Sequence, residues 1–396
     1  MSKVLMGKSK FLLTIGLAGV LTSALAVTVR ADTIKVGVIA SFSGPNAIWG
    51  KQFKEAIDVY QAQNGKTVGG HTVEFIYKDL PSPNPDASKA LAQELLIKDQ
   101  VKFIGGFNFT PDALAVASLA TQAKVPTVIF NAATSVITQK SDYFVRSSFT
   151  LWQVSVPLAN WAYDNGARKV ITAVADYGPG IDGETAFKSA FTKKGGTIVE
   201  SIRMPLATND FAPFMQRIKD SGANAVYAFL PAGPQTFAFT KAYNENGLRA
   251  AGITFYGTGE TDETTLDALG DAAIGLTTAY HYSGSHESPE NAAFVAKLAE
   301  MFPGSRANLA SVGAYDGTHL IYKMIEKAGT DGAKGIDAVK GLAWTSPRGP
   351  VSIDPVTRHI TQNVYMRKVA KDAKGVLINK EFDTIKSVPD LGLQAQ

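Results

Sequence analysis

The chain has 396 residues, 45% of them hydrophobic and 19% charged, with no cysteine and a formal net charge of +4. This is a globular composition of a length that suits two domains or one two-lobed unit, and its core is large enough to need no disulfide staple. The first 31 residues hold four bases (Lys3, Lys8, Lys10, Arg30) and no acid, which leaves 35 basic against 35 acidic residues in the remainder and argues against a nucleic-acid partner.

The segment MSKVLMGKSK is basic, an apolar run from Phe11 to Val29 follows, and Val29 and Ala31 stand at the −3 and −1 positions of a cleavage site. Together they read as an export signal, residues 1–31, with cleavage near Ala31 and a periplasmic destination. An uncleaved anchor is the alternative, but serine, threonine and glycine interrupt the run.

From Thr33 onward, β-rich runs at 33–40, 73–79, 101–106, 125–130, 169–176, 196–204 and 225–230 alternate with helical stretches at 49–64, 85–99, 183–196 and 213–222. Such alternation predicts βαβ units and parallel sheets, and strands apolar on both faces predict helices on both sides. Two series are visible, one from 33 to about 147 and one from about 168 to 281. Two long amphipathic helices follow at 288–302 and 311–329, and the tail at 347–385 reads as an antiparallel ribbon punctuated by proline and glycine. In sheets of this kind ligands sit beyond the carboxyl ends of the strands.

Those strand ends carry a consistent set of residues. The loop SFSGPNAIWG brings Trp49, GGFNFTPDA brings Asn108, Phe109 and Thr110, and NAATS brings Ala132, Ala133 and Thr134. The second series offers Tyr177 in DYGPG, Pro231 in LPAGPQ and Glu260 in YGTGETDE. Small residues before a helix let a ligand approach free backbone N–H groups, and the helix dipole favours a negative group there. Ala-Ala-Thr-Ser could equally be a plain helix cap. The aromatics at neighbouring strand ends favour a site instead, since they would line an apolar cleft.

These pieces, in this order, resemble the leucine/isoleucine/valine-binding family of periplasmic solute-binding proteins, which feed ABC importers. The resemblance rests on IKVGVIASFSGPNAIWG, FIGGFNFTPDALAVA, VPTVIFNAATSVITQKSDYFVRSS, DYGPG and the late PENAAFVAKL and YDGTHLIYKMIEKAG, spanning 33 to about 385. It implies an α/β type I fold, two doubly wound lobes joined by three crossovers and closing on ligand by a hinge. The lobes would comprise 32–147 plus 283–346 and 148–282 plus 347–396. It further implies that Ala132, Ala133, Thr134 and the loop Asn108 to Thr110 hold a ligand carboxylate, that Tyr177 lines the pocket and that Trp49 is the first-loop aromatic. Partners would be permease subunits in the inner membrane, with the protein a monomer without cofactor or metal.

Phe109 departs from the serine usual in that loop and would bring a ring into the pocket. The ligand class then turns on Glu260. Facing the cleft, it would pair the ammonium of a branched-chain or other apolar amino acid. Turned away, it leaves a pocket with a carboxylate end and aromatic walls, suited to an aromatic acid, the class also favoured by the Phe-Asn loop and by His281-Tyr282-Ser283. A ligand-sensing module of the same fold is a further alternative.

Competing chemistry is thinner. GPGIDG at 178–183 fits a dinucleotide-binding glycine pattern with Glu200 at a suitable distance, but Asp176 and Tyr177 intervene after the strand and an exported protein has little access to NAD. The GKS at 7–9 lies inside the export signal. His281 and His286 have a spacing that does not converge on a metal. No nucleophile motif is present, so no enzymatic activity is expected. The alternating charges of MRKVAKDAK, 366–374, read as a solvated face of the ribbon.

Overall fold

The computed structural model describes residues 32–393, together with Gly7; the export signal at 1–31 therefore lies outside the described residues. The first series builds β1 (Thr33–Ala40), α1 (Ala47–Asn64), β2 (Thr67–Val68), β3 (His71–Asp79), α2 (Pro85–Ile97), β4 (Phe103–Gly106), α3 (Thr110–Ala123), β5 (Thr127–Ile129) and β6 (Phe144–Arg146). Among the described residues these form a six-stranded sheet in the order β2-β3-β1-β4-β5-β6, parallel except for the short β2. The second series runs α4 (Leu151–Asp164), β7 (Lys169–Ala175), α5 (Gly178–Lys193), β8 (Thr197–Met204), α6 (Ala212–Asp220), β9 (Ala225–Phe229), α7 (Pro234–Glu245), β10 (Thr254–Gly257), α8 (Glu263–Leu269) and β11 (Thr277–Tyr280).

Three helices follow, α9 (Pro289–Met301), α10 (Leu309–Ala328) and α11 (Gly332–Val339), and then β12 (Ala343–Ser346), β13 (Gly349–Ile353), β14 (Ile360–Lys371) and β15 (Leu377–Val388). The long helices α9 and α10 pack on α1 of the first sheet, whereas β12 to β15 add antiparallel to the parallel β8-β7-β9-β10-β11 set. The second sheet is therefore mixed rather than purely parallel. Its hairpin β12–β13 straddles residue 346, where the sequence suggested a lobe boundary.

Period-2 alternation decides which face each strand residue joins. On β1, Val36, Val38 and Ala40 enter the core shared with α1 and α10, while Ile39 enters the opposite core with Ala92, Leu95 and Val116 of α2 and α3. On β7, Val170 and Val174 face Leu158 of α4 and Phe187 of α5, while Ile171 and Ala173 face Met215 of α6 and Phe239 of α7. Each sheet is thus covered on both faces, which is why the strands read as continuous apolar runs.

Within the described residues the chain passes between the sheets three times, after β6, after β11 and after α11. Arg348, fully buried and just beyond the third passage, ties it to the first passage and to α10. Its guanidinium pairs with Asp316 of α10 at 2.5 Å and donates to the carbonyls of Ser147 at 2.6 Å and Ser148 at 3.1 Å. Among the described residues no helix is long and apolar enough to cross a membrane.

Candidate functional site

The carboxyl ends of the central strands of both sheets meet around a cavity with about 420 Å³ of atom-free space, part of it open to solvent. The first sheet and its helices supply Trp49, Asn108, Phe109, Asn131 and Ala133. The first crossover adds Phe149 and the start of α10 adds Leu309. The second sheet supplies Tyr177, Pro179, Phe229, Leu230, Pro231, Ala232, Gly259 and Tyr280. None of these lining residues is Asp, Glu, Lys, Arg or His.

The first wall is shaped by backbone bonding. Phe107 holds a left-handed φ of 68°, unfavourable for a bulky side chain, and its N–H donates to Ile39 at 2.8 Å while its carbonyl accepts from Ala132 at 3.0 Å. That turn sets Asn108 and Phe109 at the mouth of α3, where Phe109 occupies the cap position and its side chain makes no capping bond. Behind the next strand end sits Arg146, fully buried. It donates to the carbonyls of Ala132, of Thr134 at 2.6 Å and of Phe149 at 3.1 Å, and to His359 Nδ1 at 3.0 Å. Burial holds its pKa down, to about 10, so it remains charged at neutral pH.

A trans peptide points its N–H opposite to its C=O. With the Ala132 carbonyl turned to Arg146, the Ala133 N–H points the other way, and neither it nor the Thr134 N–H has a protein acceptor among the described residues. The Ser135 N–H, likewise opposed to the Thr134 carbonyl, donates to Asp182 of α5 at 2.9 Å and so links the two lobes. Burial pushes the Asp182 carboxyl up to about 6.

The second wall is aromatic. Tyr177 stacks on Phe229 with centroids 6.2 Å apart, and Phe149 meets Tyr280 edge-on at 4.9 Å. Arg367, also fully buried, lies 4.9 Å from the centroid of Tyr280 and donates to the carbonyls of Tyr282 at 2.6 Å and Thr258 at 2.9 Å. Glu260 is fully buried behind Gly259. One carboxylate oxygen accepts the Leu230 N–H at 3.1 Å and the other accepts the Thr258 N–H, so the side chain ties the ends of β9 and β10 together. Desolvation pushes its pKa up to about 7 against these bonds and the nearby Arg367.

Of the residues read from sequence, Trp49, Asn108, Phe109, Ala133, Tyr177 and Pro231 line the cavity, and Thr110, Ala132, Thr134 and Glu260 do not. Trp49 stands in the first turn of α1 rather than in the loop before it. Thr110 and Thr134 bond each other through their hydroxyls at 2.8 Å, and a Cβ on Gly178 would meet Thr134 Oγ1 at 2.7 Å. Ala132 spends its N–H on Phe107 and its carbonyl on Arg146.

The glycines of GPGIDG serve close packing. A Cβ on Gly180 would collide with the Ala175 carbonyl and one on Gly183 would meet the Tyr227 hydroxyl at 2.6 Å, so the two glycines let α5 pack directly on β7 and β9. His281 is buried against Phe149 at 4.7 Å, while His286 pairs with Glu381 at 2.8 Å. Burial and two arginines hold His281 neutral, well below the usual histidine range. The charged run at 366–374 is not solvated throughout: Arg367 is the guanidinium under Tyr280.

Sequence reasoning missed several lining residues. Asn131 stands one residue beyond the run 125–130, and Phe229 and Leu230 are the last residues of the run 225–230, so counting the final strand residues with the loops beyond them would have found all three. Tyr280 adjoins the noted His281. Phe149 and Leu309 carried no local signal, because the crossovers alone bring them to the cleft.

Residues 33–374 match the family model described as periplasmic binding protein. The chain is 56% identical over 379 residues to Leu/Ile/Val-binding protein homolog 6 of Brucella abortus, covering 94% of this chain and 97% of that one. It is 58% identical to an ABC-transporter solute-binding protein of R. palustris solved in complex with 4-hydroxybenzoate, with a TM-score of 0.90 over 92% of this chain and 100% of that one. A solute-binding protein of Rhodopseudomonas palustris BisB5, solved in complex with 3,4-dihydroxybenzoic acid, is 48% identical with a TM-score of 0.88, covering 91% and 99%.

Proposed function

Because this chain belongs to the periplasmic binding protein family, and is a solute-binding protein of an ABC transporter rather than an enzyme, we propose that its solute is an aromatic carboxylate of the hydroxybenzoate class. The observation that carries this is the bonding of Glu260. An amino acid would bring an ammonium group into a desolvated cleft, where it needs a counter-charge. Among the described residues no acid lines this cavity, and both oxygens of Glu260 are taken by the Leu230 and Thr258 amides. Two relatives at 48 and 58% identity, in complex with hydroxylated benzoates, support the same reading.

The carboxylate is held by backbone rather than by a cation. The Ala133 and Thr134 amides and the uncapped starts of α3 and α5 supply positive potential where, among the described residues, no Lys or Arg lines the cavity. The ring lies between the Tyr177–Phe229 stack and the Phe149–Tyr280 pair, whose faces and edges suit an aromatic partner. Closure of the two lobes buries the ligand, with the Ser135–Asp182 bond formed across them. The protein acts in the periplasm after removal of its export signal and delivers the solute as a monomer to permease subunits of the inner membrane.

The test is a thermal-shift and calorimetric panel on ligand-stripped protein with benzoate, 3- and 4-hydroxybenzoate and 3,4-dihydroxybenzoate beside leucine, isoleucine, valine and phenylalanine. A ligand at about a thousand times its Kd adds roughly 4 kcal/mol, which moves the midpoint by several degrees. Shifts with the aromatic acids and none with the amino acids are expected. The opposite pattern would restore Glu260 as an ammonium partner.

A further inference from the structure

We propose that Asn108 and Asn131 form a receptor for a ring hydroxyl of the ligand, an inference that rests on the aromatic-carboxylate reading and adds a second recognition point to it. Both side chains line the cavity and both are more than nine-tenths buried, at 6 and 9% exposure. Each uses one half of its amide within the protein. Asn108 Oδ1 accepts the Ser41 N–H at 3.1 Å, and Asn131 Nδ2 donates to the Asn108 carbonyl at 2.8 Å. Those bonds fix which end is oxygen and which is nitrogen, since flipping either amide would set donor against donor or acceptor against acceptor.

What remains is one donor, Asn108 Nδ2, and one acceptor, Asn131 Oδ1, both buried without a partner. Buried polar groups in native proteins are bonded, and an orphan pair on the wall of a binding cavity points to the ligand as the missing partner. The chemistry selects among ligand groups. A carboxylate satisfies the Asn108 donor but sets its lone pairs against Asn131 Oδ1. An ammonium satisfies Asn131 but opposes the Asn108 N–H. A hydroxyl carries both functions on one atom, accepting from Asn108 Nδ2 and donating to Asn131 Oδ1. The pair therefore discriminates hydroxylated from unsubstituted aromatic acids, because an analogue without the hydroxyl leaves both amide halves unpaired in the closed cleft.

Calorimetric titration of the mature protein with benzoate, the 2-, 3- and 4-hydroxybenzoates and their methyl ethers tests this. One hydroxy isomer is expected to bind at least tenfold more tightly than benzoate and than its own methyl ether, which accepts but cannot donate. The isomer series identifies the ring position. Asn108→Asp keeps the oxygen that accepts from Ser41 but turns the free donor into an acceptor; it is expected to bring the hydroxy-to-benzoate affinity ratio to within about twofold. The ratio is the readout, since the added charge weakens every carboxylate alike.

If wild-type protein binds benzoates with no hydroxyl preference beyond twofold, as it would were a bridging water the partner of both asparagines, the pair has no such role while the aromatic-acid reading stands. A preference that survives Asn108→Asp unchanged also overturns it. Binding of amino acids and of no aromatic acid overturns both. Should Asn108→Asp fail to fold, the wild-type ligand series decides alone.

Discussion

Buried ionisable side chains stand behind both walls of the cleft, and the one behind the first wall claims a different half of the peptides from the carboxyl behind the second. Behind the first wall Arg146 collects carbonyls, of Ala132, Thr134 and Phe149, and so leaves N–H groups turned away from it. Behind the second wall Glu260 collects N–H groups, of Leu230 and Thr258, and removes two donors from the strand ends, while Arg367 takes the carbonyls of Thr258 and Tyr282. One wall is thereby receptive to an anion and the other is left to aromatic side chains. The lesson is that a buried charge can set the polarity of a binding surface without touching the ligand, by deciding which half of each peptide faces the cavity.

Removing Arg146 is the most direct way to break this contrast. Arg146→Met leaves at least three buried carbonyls and His359 without their donor, and breaking such a buried charged network typically costs about 3–5 kcal/mol. We expect a matching fall in the urea midpoint and loss of aromatic-acid binding even in the folded fraction, because the Ala133 peptide is then free to turn. A variant that binds with wild-type affinity would show that the peptide holds its orientation unaided.

A smaller effect is expected at Phe109, which lines both the inner cavity and a more open outer one shared with Pro45, Pro83, Leu206 and Pro234. Phe109→Ala joins the two spaces. Truncating a buried Phe to Ala typically costs about 3–5 kcal/mol, the lower end where the surroundings can relax. Affinity for simple benzoates should fall by about tenfold or more, while aromatic acids with a longer substituent should gain relative to them. Equal losses for short and long ligands would mean that Phe109 is wall without being a partition.

The smallest expected effect concerns the second wall and is read through pH. Glu260 titrates at about 7 when folded against an ordinary value of 4.5, so the folded state binds the extra proton. Its contribution is full below pH 4.5 and is lost as pH rises through about 7. Glu260→Gln does not titrate and gives up one of the two amide bonds. It should be less stable than wild type at pH 5, by about 1 kcal/mol or more, with the gap narrowing by pH 8. Chemical denaturation at the two pH values checks this, and a constant gap would mean that Glu260 is ionised throughout.

Much of the fold was legible because its signals are local. Strands such as 33–40 and 169–176 are apolar on both faces and are separated by helices of regular length, and those two facts are enough for covered parallel sheets. The strand-end residues Asn108, Phe109, Ala133 and Tyr177 could be placed near a ligand for the same reason. Arg367 shows where local reading fails. In sequence it stands in an alternating charged run, yet β14 is paired by β11 and by β15, and the side chain is enclosed beneath Tyr280. Thr134 fails similarly: its hydroxyl looked free for a ligand until Thr110, 24 residues away, was brought to 2.8 Å.

The α/β class, the alternation that covers both sheet faces and the strand ends at which a ligand would be met are local properties of the chain, because they depend on side-chain periodicity within a few residues. What those strand ends offer to a ligand is set by contacts between distant parts of the chain. Whether Glu260 confronts the cavity or binds Leu230, and whether the Ala133 amide is free or spent, depends on which peptide halves Arg146 and Glu260 claim. Those partners come from different strands and, through His359 and Arg367, from the distant tail of the chain. Hydrogen bonding of buried groups is satisfied globally, so no local pattern encodes which donors remain for the ligand.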